Sequence, residues 1–152
     1  MTRPRGALVL DSCACLALLE GELRGAAVAD LLREAEAAGA AVLVSTVNLT
    51  EVCYILWRRA GEGRVGQALQ VLSALPVQFV PPGVPVCTAA ARLKATYSLG
   101  LGDCFAAALA LASDAALVTA DPHFHRLEPE LTVIWLPPGG GLGVSDTSLS
   151  QP

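Results

Sequence analysis

Short apolar runs rich in Val, Leu and Ala alternate along the chain with longer stretches whose apolar positions recur at helical spacing. Ala7 to Leu10, Val42 to Ser45, Val77 to Val80, Ala116 to Thr119 and Thr132 to Leu136 read as buried strands. Between them, Leu49, Val52, Cys53 and Leu56 share one side of a helical turn, as do Val86, Ala90, Leu93 and Tyr97. This alternation predicts an α/β fold, a three-layer helix-sheet-helix sandwich around a mainly parallel five-stranded sheet. In open sheets of this kind ligand sites form outside the carboxyl ends of the strands, and that edge is where chemistry is expected. The domain is expected to span residues 1–136. From Pro137 to Pro152 the chain is rich in Gly, Pro and Ser without an apolar period, which predicts a flexible tail outside the core.

A chain of 152 residues suits one compact domain. With 53% hydrophobic and 16% charged residues, it has too much apolar surface to remain unfolded. Ten Lys and Arg against fourteen Asp and Glu leave a formal charge of -4, which excludes a protein that grips nucleic acid through bulk positive charge. The mean hydropathy of +0.53 raises the question of a membrane span. The longest uncharged run, Val65 to Ala91, carries Pro76, Pro81, Pro82 and Pro85 and cannot be one unbroken helix. Arg3 and Arg5 precede an apolar stretch, but Asp11 interrupts it and Glu20 and Glu22 follow, which argues against a secretory leader. Five cysteines, at positions 13, 15, 53, 87 and 104, form an odd set without a CxxC unit. Small apolar fillers in a reducing cytoplasm are expected.

Four acids stand at the openings of elements. Asp11 follows the first strand and Asp121 the fourth, so both carboxylates are expected at one sheet edge. Asn48 and Glu51 lie at i and i+3 in a helix that Ser45 or Thr46 can cap, away from its apolar stripe. Asp103 follows Gly102 and opens a nearly pure apolar helix, Cys104 to Ala112. Each acid has a local role open to it: a cap for Asp11 and Asp121, a solvated face for Glu51, the helix dipole for Asp103. Together they would repel one another unless a cation compensates them, and carboxylate oxygens suit Mg²⁺ or Mn²⁺.

Leu10-Asp11-Ser12, Asn48-Leu49-Thr50-Glu51, Leu101-Gly102-Asp103 and Val118-Thr119-Ala120-Asp121, in that order and spacing, resemble the PIN-domain ribonucleases, in particular the VapC-type toxins. The resemblance runs from about Ala7 to Leu136. It implies that Asp11, Glu51, Asp103 and Asp121 form an acidic catalytic and metal site, with Ser12, Asn48 and Thr119 in support. It implies divalent-metal-dependent hydrolysis of RNA to a 5′-phosphate and a 3′-hydroxyl, and a small antitoxin bound across the site. Rival classes fit less well. A haloacid-dehalogenase-like phosphatase needs a second aspartate where Cys13 stands, and a phosphoacceptor receiver module needs a lysine near the last strand, whereas Lys94 is the one lysine of the chain. A non-catalytic PIN-like or receiver-like metal-binding interaction module is the alternative.

Setting those four acids aside leaves ten acids against ten bases, so the acidity belongs to the site and an RNA substrate is compatible with the net charge. Arg58, Arg59 and Arg64 form one basic group and Arg92 with Lys94 another, each a candidate for holding phosphates. His123 and His125 read as surface residues of a loop. A chain so poor in charge is expected to expose an apolar patch for a partner, an antitoxin or a second copy in a homodimer. The stripes from Val28 to Leu32 and from Val47 to Leu56 are the expected groove.

Overall fold

A computed structural model describes residues 6–21 and 23–139. The β-rich runs form β1 (Leu8–Leu10), β2 (Val42–Ser45), β3 (Gln78–Val80), β4 (Ala116–Thr119) and β5 (Val133–Trp135). Every pairing is parallel and the strand order is β3-β2-β1-β4-β5. Leu8 lies opposite Val42 on one side and Ala116 on the other, and Thr119 opposite Trp135.

Strand residues alternate between two cores, which is why the strands read as continuous apolar runs. Leu8, Leu10, Val42, Val44 and Val118 face one layer of helices, α1 (Ser12–Glu20), α2 (Leu23–Ala38), α3 (Thr46–Ala60) and α4 (Glu62–Ser73). Val9 and Leu117 face the other, built from α5 (Val84–Thr96), α6 (Leu101–Ala112) and a 3-10 turn over Pro122–Leu127. The expected three-layer sandwich with a five-stranded parallel sheet is therefore present. The uncharged run from Val65 covers most of α4, all of β3 and the first half of α5, whose first turn takes Pro85 without losing a hydrogen bond. Among the described residues no helix is long and apolar enough to cross a membrane. Of the expected tail, residues 140–152 lie outside the described residues, as do residues 1–5, including the arginines of the leader argument.

One expectation about the surface is corrected. Val28 and Leu32 are buried in the core beneath α2, as are Val52 and Leu56 beneath α3, so these stripes hold the layers together and do not line an open groove. Close approach of α1 and α2 accounts for part of this: a Cβ on Gly25 would collide with the Ala17 carbonyl oxygen, which is backbone and cannot yield. The exposed apolar side chains on α3 are Tyr54 and Trp57 instead.

The topology fixes where a site can form. From β1 the chain crosses to β2 and β3 on one side and then returns to β4 on the other. After β1 it enters the first layer and after β4 the second, which leaves a crevice at the carboxyl ends of these two adjacent strands.

Candidate active site

Asp11 and Asp121 stand at that crevice because Asp11 comes directly after β1 and Asp121 two residues after the end of β4, and each caps the next element. Asp11 Oδ1 accepts from the Ala14 amide at 2.8 Å, and Asp121 Oδ1 from the His123 amide at 2.9 Å. A relay joins them. The Asp121 amide donates to Thr119 Oγ1 at 3.0 Å, which turns the Thr119 hydroxyl proton toward Asp11 Oδ2, to which it donates. Asp11 is 2% exposed. Burial pushes its carboxyl up to about 7, the Thr119 and Ala14 hydrogen bonds oppose the rise, and the charges of Asp103 and Asp121 add to it.

Asp103 enters from the first turn of α6 and is likewise pushed up to about 7, by burial first and then by the Asp121 and Glu51 charges. His123 and the Gly100 backbone oppose that rise. Glu51 comes from α3 and is held from three sides. Ser12 Oγ donates to its Oε1, Asn48 Nδ2 approaches the same oxygen at 3.4 Å, and Gly102 lies against its carboxylate. Asn48 is fully buried and also donates to Ser12 Oγ at 3.2 Å and to the Gly102 carbonyl at 3.1 Å. Among the described residues no donor meets its Oδ1, an unsatisfied buried acceptor beside the crevice.

The four expected acids and Ser12, Asn48 and Thr119 are thus brought together. Two carboxyls that hold their protons near neutral pH, surrounded by further carboxylates, make an oxygen-donor set suited to a hard divalent cation. Among the described residues no three His, Cys, Asp or Glu side chains are grouped closely enough to enclose such an ion as they stand. Part of the donor capacity faces elsewhere: Asp121 Oδ1 also meets His123 Nδ1 at 2.8 Å, and Glu51 Oε1 faces Ser12.

The candidate basic residues each contact a neighbouring group of the chain. Arg59 pairs with Glu20 at 3.3 Å and Arg64 Nη2 donates to the Leu19 carbonyl at 3.4 Å, both at the far end of α1 from Asp11. That end lies about 13 Å along the helix axis. Arg58 sits over the Tyr54 ring at 5.4 Å. Arg92 pairs with Glu130 at 3.1 Å, and Lys94 donates to the Leu99 carbonyl at 2.6 Å, tying down the loop that leads into Asp103. None of these contacts is with the four acids.

Two participants escaped the sequence reading. His123 is exposed, as expected, yet bonded to Asp121; the signal was the Asp-Pro-His order, which places a donor two residues past a capping carboxylate. Arg24 donates to the Pro137 carbonyl at 2.9 Å, and its charge acts on Cys13, a mostly buried thiol next to Asp11 and Ser12. Burial and the Asp11 charge push that thiol up to about 11.

A PIN domain family model matches residues 8–129. The fold is similar to that of VapBC2 from Rickettsia felis, solved with a DNA fragment from its promoter, at 17% identity and a TM-score of 0.72, covering 86% of this chain and 99% of that one. It is also similar to a sarcin-ricin-loop-cleaving VapC toxin of Mycobacterium tuberculosis, at 17% identity and a TM-score of 0.62, covering 79% and 94%. DNA-bound VapBC from Salmonella typhimurium matches at 14% identity and a TM-score of 0.67, covering 84% and 96%. No curated protein matches in sequence.

Proposed function

The chain belongs to the PIN domain family, and from that premise we propose that it is a divalent-metal-dependent endoribonuclease, the toxin of a toxin-antitoxin pair. The observation that carries this reading is the convergence of Asp11, Glu51, Asp103 and Asp121 at the crevice between β1 and β4, where burial first, and then the charges of the neighbouring acids, push two of the carboxyls up to about 7.

Asp11, Asp103 and Asp121, with Glu51, would hold Mg²⁺ or Mn²⁺. When bound, such an ion neutralises charge on the phosphodiester and makes a water molecule more acidic. The protein's part is positioning. Thr119 and the Ala14 amide fix the Asp11 carboxylate in its ionised orientation, and the Gly102 backbone with Asn48 and Ser12 fixes Glu51. Glu51 would orient a water and take up its proton as the water oxygen attacks phosphorus. The bond from phosphorus to the 3′ oxygen breaks and the 3′ oxygen takes a proton from solvent, which leaves a 5′-phosphate and a 3′-hydroxyl. Arg24 is the cation we assign to the RNA backbone, since its charge acts on Cys13, the neighbour of Asp11 and Ser12.

The partner would be a small antitoxin. Support comes from the likeness to complexes solved as VapBC and from Tyr54 and Trp57, which stand exposed on the helix that carries Glu51. A second copy of the chain is the other partner proposed for such a surface. Purified protein incubated with RNA in Mn²⁺ and in EDTA tests the reading. Cleavage in Mn²⁺ alone, with 5′-phosphate ends, supports it; cleavage unaffected by EDTA contradicts it.

A further inference from the structure

We propose that His125 and Trp135 form a platform on which a nucleobase of single-stranded RNA stacks beside the acidic crevice, an inference that rests on the ribonuclease reading. The two rings are stacked with centroids 4.1 Å apart and an interplanar angle of 23°. Both are held by one carboxylate: Trp135 Nε1 donates to Glu128 Oε1 at 3.0 Å, and His125 Nδ1 meets the same oxygen at 2.8 Å. Two aromatic rings are thus fixed in advance at the surface, with the His125 side chain 60% exposed. An ordered, exposed ring face loses little entropy when a base is laid on it.

Its place is specific. His125 lies four residues past Asp121 in the 3-10 turn, and Trp135 is the register partner of Thr119, whose hydroxyl donates to Asp11. Adjacent strands lie about 4.8 Å apart, so the platform starts one strand away from the crevice, within one nucleotide's reach of a phosphate held there. From the opposite layer Arg24 reaches the carbonyl of Pro137, two residues past Trp135, so a cation and an aromatic face flank the same strand end. The Glu128 charge decides what the platform takes. A carboxylate at the edge of both rings repels a phosphate and leaves the face of a base as the suitable ligand. Double-stranded RNA keeps its bases stacked on one another, so the ligand is an unpaired nucleotide.

The decisive variants separate stacking from hydrogen bonding. His125→Phe keeps a ring and loses the bond to Glu128; His125→Asn keeps a polar group for Glu128 and loses the ring. With a labelled single-stranded RNA in Mn²⁺, H125N is expected to raise KM about tenfold at unchanged kcat, the size of one base stack, while H125F stays near wild type. In the Trp57→Phe background Trp135 is the remaining tryptophan. Its emission is expected to be quenched by the same RNA in EDTA, and less so by RNA with an abasic nucleotide at the stacking position. Wild-type KM in H125N, a loss in H125F equal to that in H125N, or no quenching overturns the platform. If the wild type still cleaves RNA, the ribonuclease reading survives that result; if it neither cleaves nor is quenched, both fall.

Discussion

Gly102 lies flat against the Glu51 carboxylate: a Cβ built on it would stand 2.6 Å from Glu51 Cδ. The contact joins the first turn of α6 to the second turn of α3, and Asn48 closes it by donating to the Gly102 carbonyl at 3.1 Å. The glycine before Asp103 is therefore needed for what it lacks. It lets two acids from different helices share one crevice.

Gly102→Ala is expected to push the Glu51 carboxylate aside, since the end of a flexible side chain yields more readily than backbone. The gain in helix propensity, up to about 1 kcal/mol, offsets the shift, so stability should change little while RNA cleavage falls. Melting temperature and kcat measured on the same preparation check this. A lost fold, or full activity, would show that the contact does not set Glu51.

The metal-free protein is expected to be more stable at pH 5 than at pH 8. Asp11 and Asp103 are pushed from an ordinary 3.8 up to about 7 in the folded chain. Between about pH 4 and 7 the native state therefore binds protons that the unfolded chain releases, and stability falls as pH rises through that window. On the proposed reading Mn²⁺ would bind the ionised carboxylates of the native state, so its stabilisation should be large at pH 8 and small at pH 5. Melting curves with EDTA or Mn²⁺ at both values decide it, and a metal shift equal at the two would contradict the account.

Thr119→Val removes the hydroxyl that holds the Asp11 proton affinity down and leaves the Asp121 amide without its partner. The expected cost is about 1–3 kcal/mol of stability. The acidic limb of the pH-rate profile should also move to higher pH, a displacement that a purely structural defect would not produce.

Arg64→Ala and Arg92→Ala should leave kcat/KM near wild type, because these side chains tie down the Leu19 carbonyl and Glu130 and do not contact the acids. Arg24→Ala should raise KM for RNA. Steady-state cleavage by the three variants tests the assignment; the reverse ranking would restore the basic groups picked out by sequence spacing.

Much of the fold was legible because buried parallel strands carry continuous apolar runs, and Asp11 and Asp121 were legible because each stands within two residues of the end of such a run. The contacts of Glu51 with Gly102 and of Asn48 with the Gly102 carbonyl were not, because they cross more than fifty residues of sequence and leave no local period. The stripe from Val28 to Leu32 was misassigned for a different reason: an apolar helix face looks the same whether it meets its own sheet or a partner. What the arginines contact was not legible, because helical spacing says which residues share a face but not what stands opposite. Arg64 thus faces the end of α1, while Arg24, which no spacing singled out, acts on Cys13 beside Asp11.

The central claim, that these carboxylates carry metal-dependent RNA cleavage, is tested most directly by initial rates in Mn²⁺ for the wild type and Asp103→Asn purified in parallel. Asp103→Asn keeps the side chain's shape and removes its charge, and misplaced reacting groups cost about 100-fold, so a loss of that size or more is predicted with the fold intact. An Asp103→Asn protein that cleaves RNA at the wild-type rate would contradict the account.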